Sequence, residues 1–553
     1  MVSREKRAIG PLLPIITAIV ATIVLVRVLW IVSCSSTTEA TYSDPIVSKQ
    51  VVRGTVYDRN GNILAIETPY WSCAILVNET EDLRRTIETI APILSLDPST
   101  VYAAASQRSV YHLVKRRLSL EEHAAMLKVI KETGLKGVLL EKRYGRSYPQ
   151  HYHASQVIGF TNTENHGIEG LELAFESQLF PYPVPGETIT NGATITTTLD
   201  IQLQYLLDEQ IVSIDRQHYP DSIVGIIMGA DTGEVLAATT FPWYDPNLYQ
   251  ESEPQQRQNR IVTSMYEPGS VFKIFSLAAE LQSGQGATED PFFCDGSYTF
   301  TMDNGEEATI NCVSAHGTIT PETMIKYSCN GAVAHWALQT DDKAFRDILV
   351  DFGFTTAWNT GMPGTISGRL PKIENWSGRS KATISFGQEI AVTPLQLVTA
   401  ATAIANGGNL MEPRIVNSID GVPTSPPVAT TQVIDHEVAQ RILDGMEMAT
   451  QSGGTATKAA VPGVRVGAKT GTAQVFDPTT GTYGSDNFLA STLAIVPIDD
   501  PRYIIYIGVS NPKGATIWGS NIAAPAIGSL IADMVRQGRI ASDVMETITL
   551  DRP

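Results

Sequence analysis

The sequence predicts an α/β domain built on a mainly antiparallel sheet flanked by helices, preceded by an α+β domain and an N-terminal apolar span. Three observations carry this prediction. Two β-prone runs, Ser222 to Met228 and Glu234 to Thr239, flank the turn residues Asp231-Thr232-Gly233. Two more, Leu489 to Val496 and Tyr503 to Val509, flank Asp499-Asp500-Pro501. The residues between these hairpins contain stretches of helical periodicity, so strands from both ends of this half enclose helices.

At the N-terminus, Arg4, Lys6 and Arg7 precede Leu12 to Val32, an apolar run about one membrane span long. Basic residues ahead of a span predict a cytoplasmic segment over 1–11, a single-pass anchor over 12–33 and an extracytoplasmic remainder. Pro11, Pro14 and Arg27 interrupt the run, and Arg27 can snorkel from its outer end. A cleaved signal peptide and lipidation at Cys34, suggested by Ile31-Val32-Ser33-Cys34, remain open alternatives.

Residues 35–50 are rich in Ser and Thr and read as a linker. Asn60-Gly61 lies between two short β-prone runs, a hairpin signal. Glu81 to Leu96 and Ser119 to Thr133 have helical periodicity, and Ser119-Leu120-Glu121-Glu122 fits a capping box. No catalytic set assembles between residues 50 and 200. Residues 34–200 are therefore expected to be a spacer, and 201–545 the chemical domain, with the boundary near Thr196-Thr197-Thr198-Leu199-Asp200. The 285–320 region is expected to be loop. Thr393 as N-cap and Pro394 at the first helical position start a helix that stops at Asn406-Gly407-Gly408. Arg465 to Val475 alternates like a strand, and Ile522 to Arg536 reads as a closing helix.

A net charge of −18 argues against a nucleic-acid partner. The five cysteines include no C-x-x-C pair, which argues against structural zinc. Cys294 and Cys312 are read equally as a disulfide or as two free thiols. His151 and His153 read as a loop pair, and His316 and His335 as hydrogen-bonded structural residues. No Gly-x-Ser-x-Gly, His-Glu-x-x-His or Walker-type sequence occurs, and no metal or cofactor is expected.

The chemistry is placed at Tyr266-Glu267-Pro268-Gly269-Ser270-Val271-Phe272-Lys273. Positions three apart on a helix share a face, so Lys273 lies beneath Ser270 at a helix start that offers free N–H groups. Ser-x-x-Lys also occurs at Ser3 and Ser510. The copy at Ser270 stands out because Ser328-Cys329-Asn330 and Lys469-Thr470-Gly471-Thr472 follow it in order. A further Ser-x-Asn at Ser485-Asp486-Asn487 is read as loop. A serine hydroxyl needs a base, and Lys273 can serve only when neutral. Burial and the Lys469 cation are expected to lower its pKa from about 10.4, a depression of about 3 units costing roughly 4 kcal/mol. Ser328 can relay a proton, and Asn330 can hold a substrate amide. Lys469, Thr470 and Thr472 can bind a carboxylate, and Gly471 can admit a substrate backbone to an edge strand. The N–H groups of Ser270 and Thr472 can form an oxyanion hole.

With these motifs in place the chain resembles the class B penicillin-binding proteins, over almost its whole length. Arg53-Gly54 with Asp58-Arg59-Asn60-Gly61, Arg146-x-Tyr148-Pro149 and Gly167 to Glu172 match the family's pedestal. Tyr266 to Lys273, Ser385-Phe386-Gly387-Gln388 and Thr393-Pro394-Leu395-Gln396 match its catalytic half. The resemblance implies a serine β-lactamase-like fold and a membrane-anchored D,D-transpeptidase that crosslinks peptidoglycan stem peptides. Ser270 would attack the penultimate D-alanine carbonyl, and β-lactams would acylate the same serine. It also implies a polytopic glycan polymerase as partner, in the division and sporulation branch more than the elongation branch. Cys329 stands where the family often has serine, at a position whose side chain usually points away from the substrate. Two rival readings are a D,D-carboxypeptidase or β-lactamase-like hydrolase, and a non-catalytic β-lactam sensor or wall-assembly scaffold.

Overall fold

The structure, a computed structural model, describes residues 51–184, 189–287, 291–302, 304–424, 429–477 and 482–543. The expected anchor over 12–33 and Cys34 lie outside them. Among the described residues no helix is long and apolar enough to cross a membrane.

Pro69–Tyr144 falls in one compact unit, and Gln50–Thr68 with Gly145–Pro553 makes up the other. In the smaller unit Cys73 to Leu76 pairs antiparallel with Tyr111 to Lys115. Each α-helix there starts at a polar cap. Asp82 accepts from the Arg85 N–H ahead of Leu83–Ile90, and Asp97 accepts from Thr100 ahead of Pro98–Ala105. Ser119 and Glu122 form the expected capping box of Leu120–Thr133. These elements bury Ile75, Ile87, Ile90, Val101, Met126 and Leu140.

The larger unit is organised by a five-stranded sheet that runs, in spatial order, Gly467–Asp477, Thr482–Val496, Tyr503–Ser510, Ser222–Gly229 and Val235–Phe241. Every neighbouring pair is antiparallel, as expected. Side chains alternate between two buried faces. Ile223, Ile227, Ile505 and Ile507 pack with residues of helices Ile201–His218 and Gly519–Arg536. Ile226, Met228, Ile504 and Tyr506 join the core that contains Ile274, Phe275, Leu397 and Val398. A sheet covered on both faces explains why its strands read as nearly continuous apolar runs. The Asn60-Gly61 hairpin forms, with Val56 opposite Ala65 and Tyr57 opposite Ile63. Thr393 caps Pro394–Ala405 through a capping box with Gln396.

Two local expectations are corrected. The described residues of the 285–320 region carry four short strands in two antiparallel pairs, Phe292–Cys294 with Gly317–Ile319 and Ser297–Thr301 with Glu307–Asn311. Ser485-Asp486-Asn487 belongs to the strand Thr482–Val496, not to a loop.

Candidate active site

Ser270 stands in a 3-10 turn, Gly269–Phe272, and the α-helix proper begins at Lys273 and ends at Ser283. Residues three apart eclipse in a 3-10 turn, so serine and lysine keep a common side. The turn is pinned from two directions. Gly269 N–H donates to the Gly387 carbonyl at 3.0 Å. Gly269 also has φ of +56°, and a Cβ there would lie 2.8 Å from the Ala473 Cβ, so only glycine fits. Phe272 and Phe275 anchor the helix against Phe354, with ring centroids at 4.9 and 5.0 Å.

Lys273 is fully buried. Its Nζ donates to the Ser328 carbonyl at 2.5 Å, to Asn330 Oδ1 at 2.5 Å and to Ser328 Oγ at 3.1 Å. Lys469, equally buried, donates from Nζ to Ser328 Oγ at 2.9 Å and to the Thr470 carbonyl at 2.8 Å. One hydroxyl thus bridges two lysines. Ser328 can do this because it caps helix Pro321–Tyr327 in the left-handed region, φ +59°, which is uncommon for a residue with a side chain. Asn330 is tied on its other side, Nδ2 donating to the Asn311 carbonyl at 2.9 Å.

Burial lowers the Lys273 pKa to about 8, against a smaller upward pull from Cys329 and Cys312. Lys469 is driven well below its ordinary range, first by burial and then by the Lys273 charge. Among the described residues no carboxylate acts on either lysine. Burial is the leading cause at both, as expected for Lys273. The Lys469 cation is not among the groups that lower Lys273; the like-charge effect falls on Lys469 instead.

The strand Gly467–Asp477 is the edge of the sheet. Alternation puts Lys469 and Gly471 on one face and Thr470 and Thr472 on the other. A Cβ at Gly471 would meet Ser491 Oγ at 2.8 Å and Val271 Cγ2 at 2.9 Å. The glycine is therefore required for packing the strand against the Ser270 turn, a reason the sequence reading missed. Thr470 is buried, while Thr472 Oγ1 accepts from the Gly519 N–H at 3.1 Å.

Ser270, Asn330 and Thr472 line a cleft of about 640 Å³. One wall is the hairpin Ser297–Thr301/Glu307–Asn311, and Arg379, Thr383, Phe386 and Gln388 also line the cleft. Phe386 and Gln388 belong to the Ser385–Gln388 segment that matched the family's catalytic half. The hairpin and Arg379 were missed, although Tyr298, Phe300, Ala308 and Ile310 alternate as strand residues do. A larger cavity of about 840 Å³, lined by Arg59, Asp200, Glu234 and Arg539, holds no serine–lysine pair.

The described cysteines are free. Cys294 and Cys312 are thus two free thiols, and the Cys312 sulfur lies 3.7 Å from that of Cys329. His335 Nδ1 meets the Tyr298 hydroxyl at 3.1 Å, in its expected structural role.

Comparison with known proteins decides the family. Residues 223–532 match the family model for the penicillin-binding protein transpeptidase domain, and residues 48–181 match that for the penicillin-binding protein dimerisation domain. The chain belongs to the class B penicillin-binding proteins. Among curated relatives, this penicillin-binding protein is 29% identical to stage V sporulation protein D of Bacillus subtilis over 87% of the chain and 77% of that protein. It is 28% identical to the peptidoglycan D,D-transpeptidase FtsI of Escherichia coli over 90% and 85%. The same fold occurs in penicillin-binding protein 3 of Mycobacterium tuberculosis, solved with aztreonam, at a TM-score of 0.70, 23% identity and 89% and 98% coverage. Penicillin-binding protein 2X of Streptococcus thermophilus aligns at 0.68, 24% identity and 88% and 80% coverage.

Proposed function

We infer that this penicillin-binding protein crosslinks peptidoglycan stem peptides as a serine D,D-transpeptidase, through an acyl-enzyme on Ser270. One observation supports the assignment of residues above all others: Lys273 and Lys469 converge on Ser328 Oγ beside the cleft that Ser270 lines. Neutral Lys273 takes the Ser270 proton as Oγ attacks the donor carbonyl. The N–H groups of Ser270 and Thr472 receive the developing oxyanion, a contribution of about 100- to 1,000-fold per donor. Ser328, between the two lysines, passes a proton to the leaving amine as the C–N bond breaks and D-alanine departs. An acceptor amine then attacks the ester, forming the crosslink and returning the Ser270 proton through the same relay. Asn330 positions Lys273 and keeps a second amide hydrogen for the substrate, and Thr472, which lines the cleft, receives its carboxylate in the field of the Lys469 charge. Thr470 and Gly471 shape that strand.

β-Lactams fit the same steps, because ring opening acylates Ser270 while the leaving nitrogen stays tethered. A single-pass anchor over 12–33, a pedestal over 34–200, a transpeptidase domain over 201–545 and an extracytoplasmic location complete the reading. A polytopic glycan polymerase is the proposed partner, since crosslinking needs newly made strands. The test is labelling with a fluorescent penicillin. Ser270→Ala is expected to lose all label while keeping the wild-type melting temperature, and label retained on that variant overturns the assignment.

A further inference from the structure

Four side chains that the acyl-transfer steps do not use meet beside Ser328. Cys294, Cys312, His316 and Cys329 bring one donor atom each to within 4.8 Å of one another. The sulfurs of Cys312 and Cys329 are 3.7 Å apart, and Cys294 Sγ is 3.5 Å from His316 Nδ1. A tetrahedral centre with Zn–S bonds of about 2.3 Å and a Zn–N bond of about 2.0–2.1 Å has S···S edges of about 3.8 Å and S···N edges of about 3.6 Å. The Cys312–Cys329 and Cys294–His316 contacts match these two edges, and the remaining donor pairs, all within 4.8 Å, close to them with small side-chain shifts. We propose that these four residues form a structural zinc site, Cys₃His, with all four coordination positions filled by protein.

The surroundings suit thiolates. Cys312 Sγ accepts from the Gly331 N–H at 3.3 Å, and Cys329 Sγ accepts from the Ala332 N–H at 3.4 Å. Cys329 is the N-cap of helix Asn330–Gln339, where the helix dipole favours negative charge. The His316 ring stacks on Tyr327, with centroids 5.9 Å apart and planes 11° off parallel, which fixes its orientation. Cys294 and Cys329 are fully buried, so the metal would be shielded from water as structural zinc is.

The ligands also come from elements in need of a tie. Cys294 ends Phe292–Cys294, Cys312 follows Glu307–Asn311, His316 precedes Gly317–Ile319, and Cys329 joins two helices. Two-stranded pairs of this size are marginal alone. Asn311, next to Cys312, holds Asn330, next to Cys329, through the 2.9 Å hydrogen bond already described. Zinc would therefore lock the hairpin wall of the cleft to the Ser328–Asn330 turn that carries the proton relay. Its role is positioning, and no step of the reaction passes through it.

The purified chain, loaded with zinc under a thiol reductant and desalted, is assayed by inductively coupled plasma mass spectrometry. The site predicts about one zinc per chain. Cobalt(II) in its place gives the strong visible bands of a tetrahedral ion and thiolate-to-metal charge transfer. Cys294→Ser and His316→Ala lose the metal and slow penicillin labelling. His316→Cys, which restores four ligands, keeps the metal and strengthens the charge-transfer band, so loss of metal through misfolding is distinguished from loss of a ligand. A wild-type chain without zinc or cobalt under these conditions overturns the proposal. So does full zinc retention in Cys294→Ser, or a Cys312–Cys329 disulfide in the protein taken directly from its own cells.

Discussion

Two clusters of buried charge lie in the larger unit, and they are built to opposite ends. In the first, Glu172 sits between two arginines, Arg53 Nε at 2.7 Å and Arg146 Nε at 2.5 Å. Arg53 adds Glu176 at 2.6 Å and donates to the Asn165 and Glu172 carbonyls. Burial pulls the Arg53 pKa down, but Glu172 and Glu176 more than offset it and hold the guanidinium charged. In the second, Lys273 and Lys469 share one serine hydroxyl and no carboxylate. Compensation makes the first cluster inert and structural. Lack of compensation makes the second costly, as the proposed base requires. Lowering Lys273 to about 8 from 10.5 corresponds to about 3 kcal/mol of disfavoured charge at neutral pH, the condition that supplies a neutral amine.

The contrast is testable by breaking each cluster. Lys273→Ala removes the base, and acylation by benzylpenicillin is expected to slow by about 100- to 10,000-fold in stopped-flow assays, with folding retained. Glu172→Ala leaves buried guanidinium charge without its central partner and is expected to cost about 3–5 kcal/mol in denaturant unfolding, while the folded fraction still labels with penicillin at the wild-type rate. If Glu172→Ala spared stability and abolished labelling, the division between structural and reactive charge would fail. Gly471→Ala is the finer probe, pushing a methyl against Val271 and Ser491. It is expected to cost about 1–3 kcal/mol of stability and to slow labelling, because the strand is forced off the Ser270 turn. Wild-type labelling and stability in that variant would remove the packing argument.

Much of this was legible in the sequence for identifiable reasons. Turn residues announced the Asn60-Gly61 and Asp231-Gly233 hairpins, and Thr393-Pro394 announced a helix, because these signals are local. The three motifs of the candidate site were legible by their order, and the fold brings Lys273, Ser328 and Lys469 together. What remained hidden depends on contacts between distant residues. Arg53, Arg146 and Glu172 looked like separate punctuation until the fold joined them. The two short strand pairs of 285–320 alternate over only a few half-exposed residues each, and the Gly, Asp and Asn residues around them read as loop. Cys294, Cys312, His316 and Cys329 lack a spaced metal motif because four different elements deliver them. Gly471 was assigned to substrate approach because Val271 could not be seen behind it.

The central claim is that buried Lys273 acts as the neutral base for Ser270. The pH dependence of penicillin acylation tests it most directly. Burial lowers Lys273 to about 8, and a base works only when deprotonated. The rate is therefore expected to climb with pH, by about tenfold per unit well below 8, and to level off above it. A rate that stays flat between about pH 6 and pH 10, or that falls as pH rises through 8, would contradict the account.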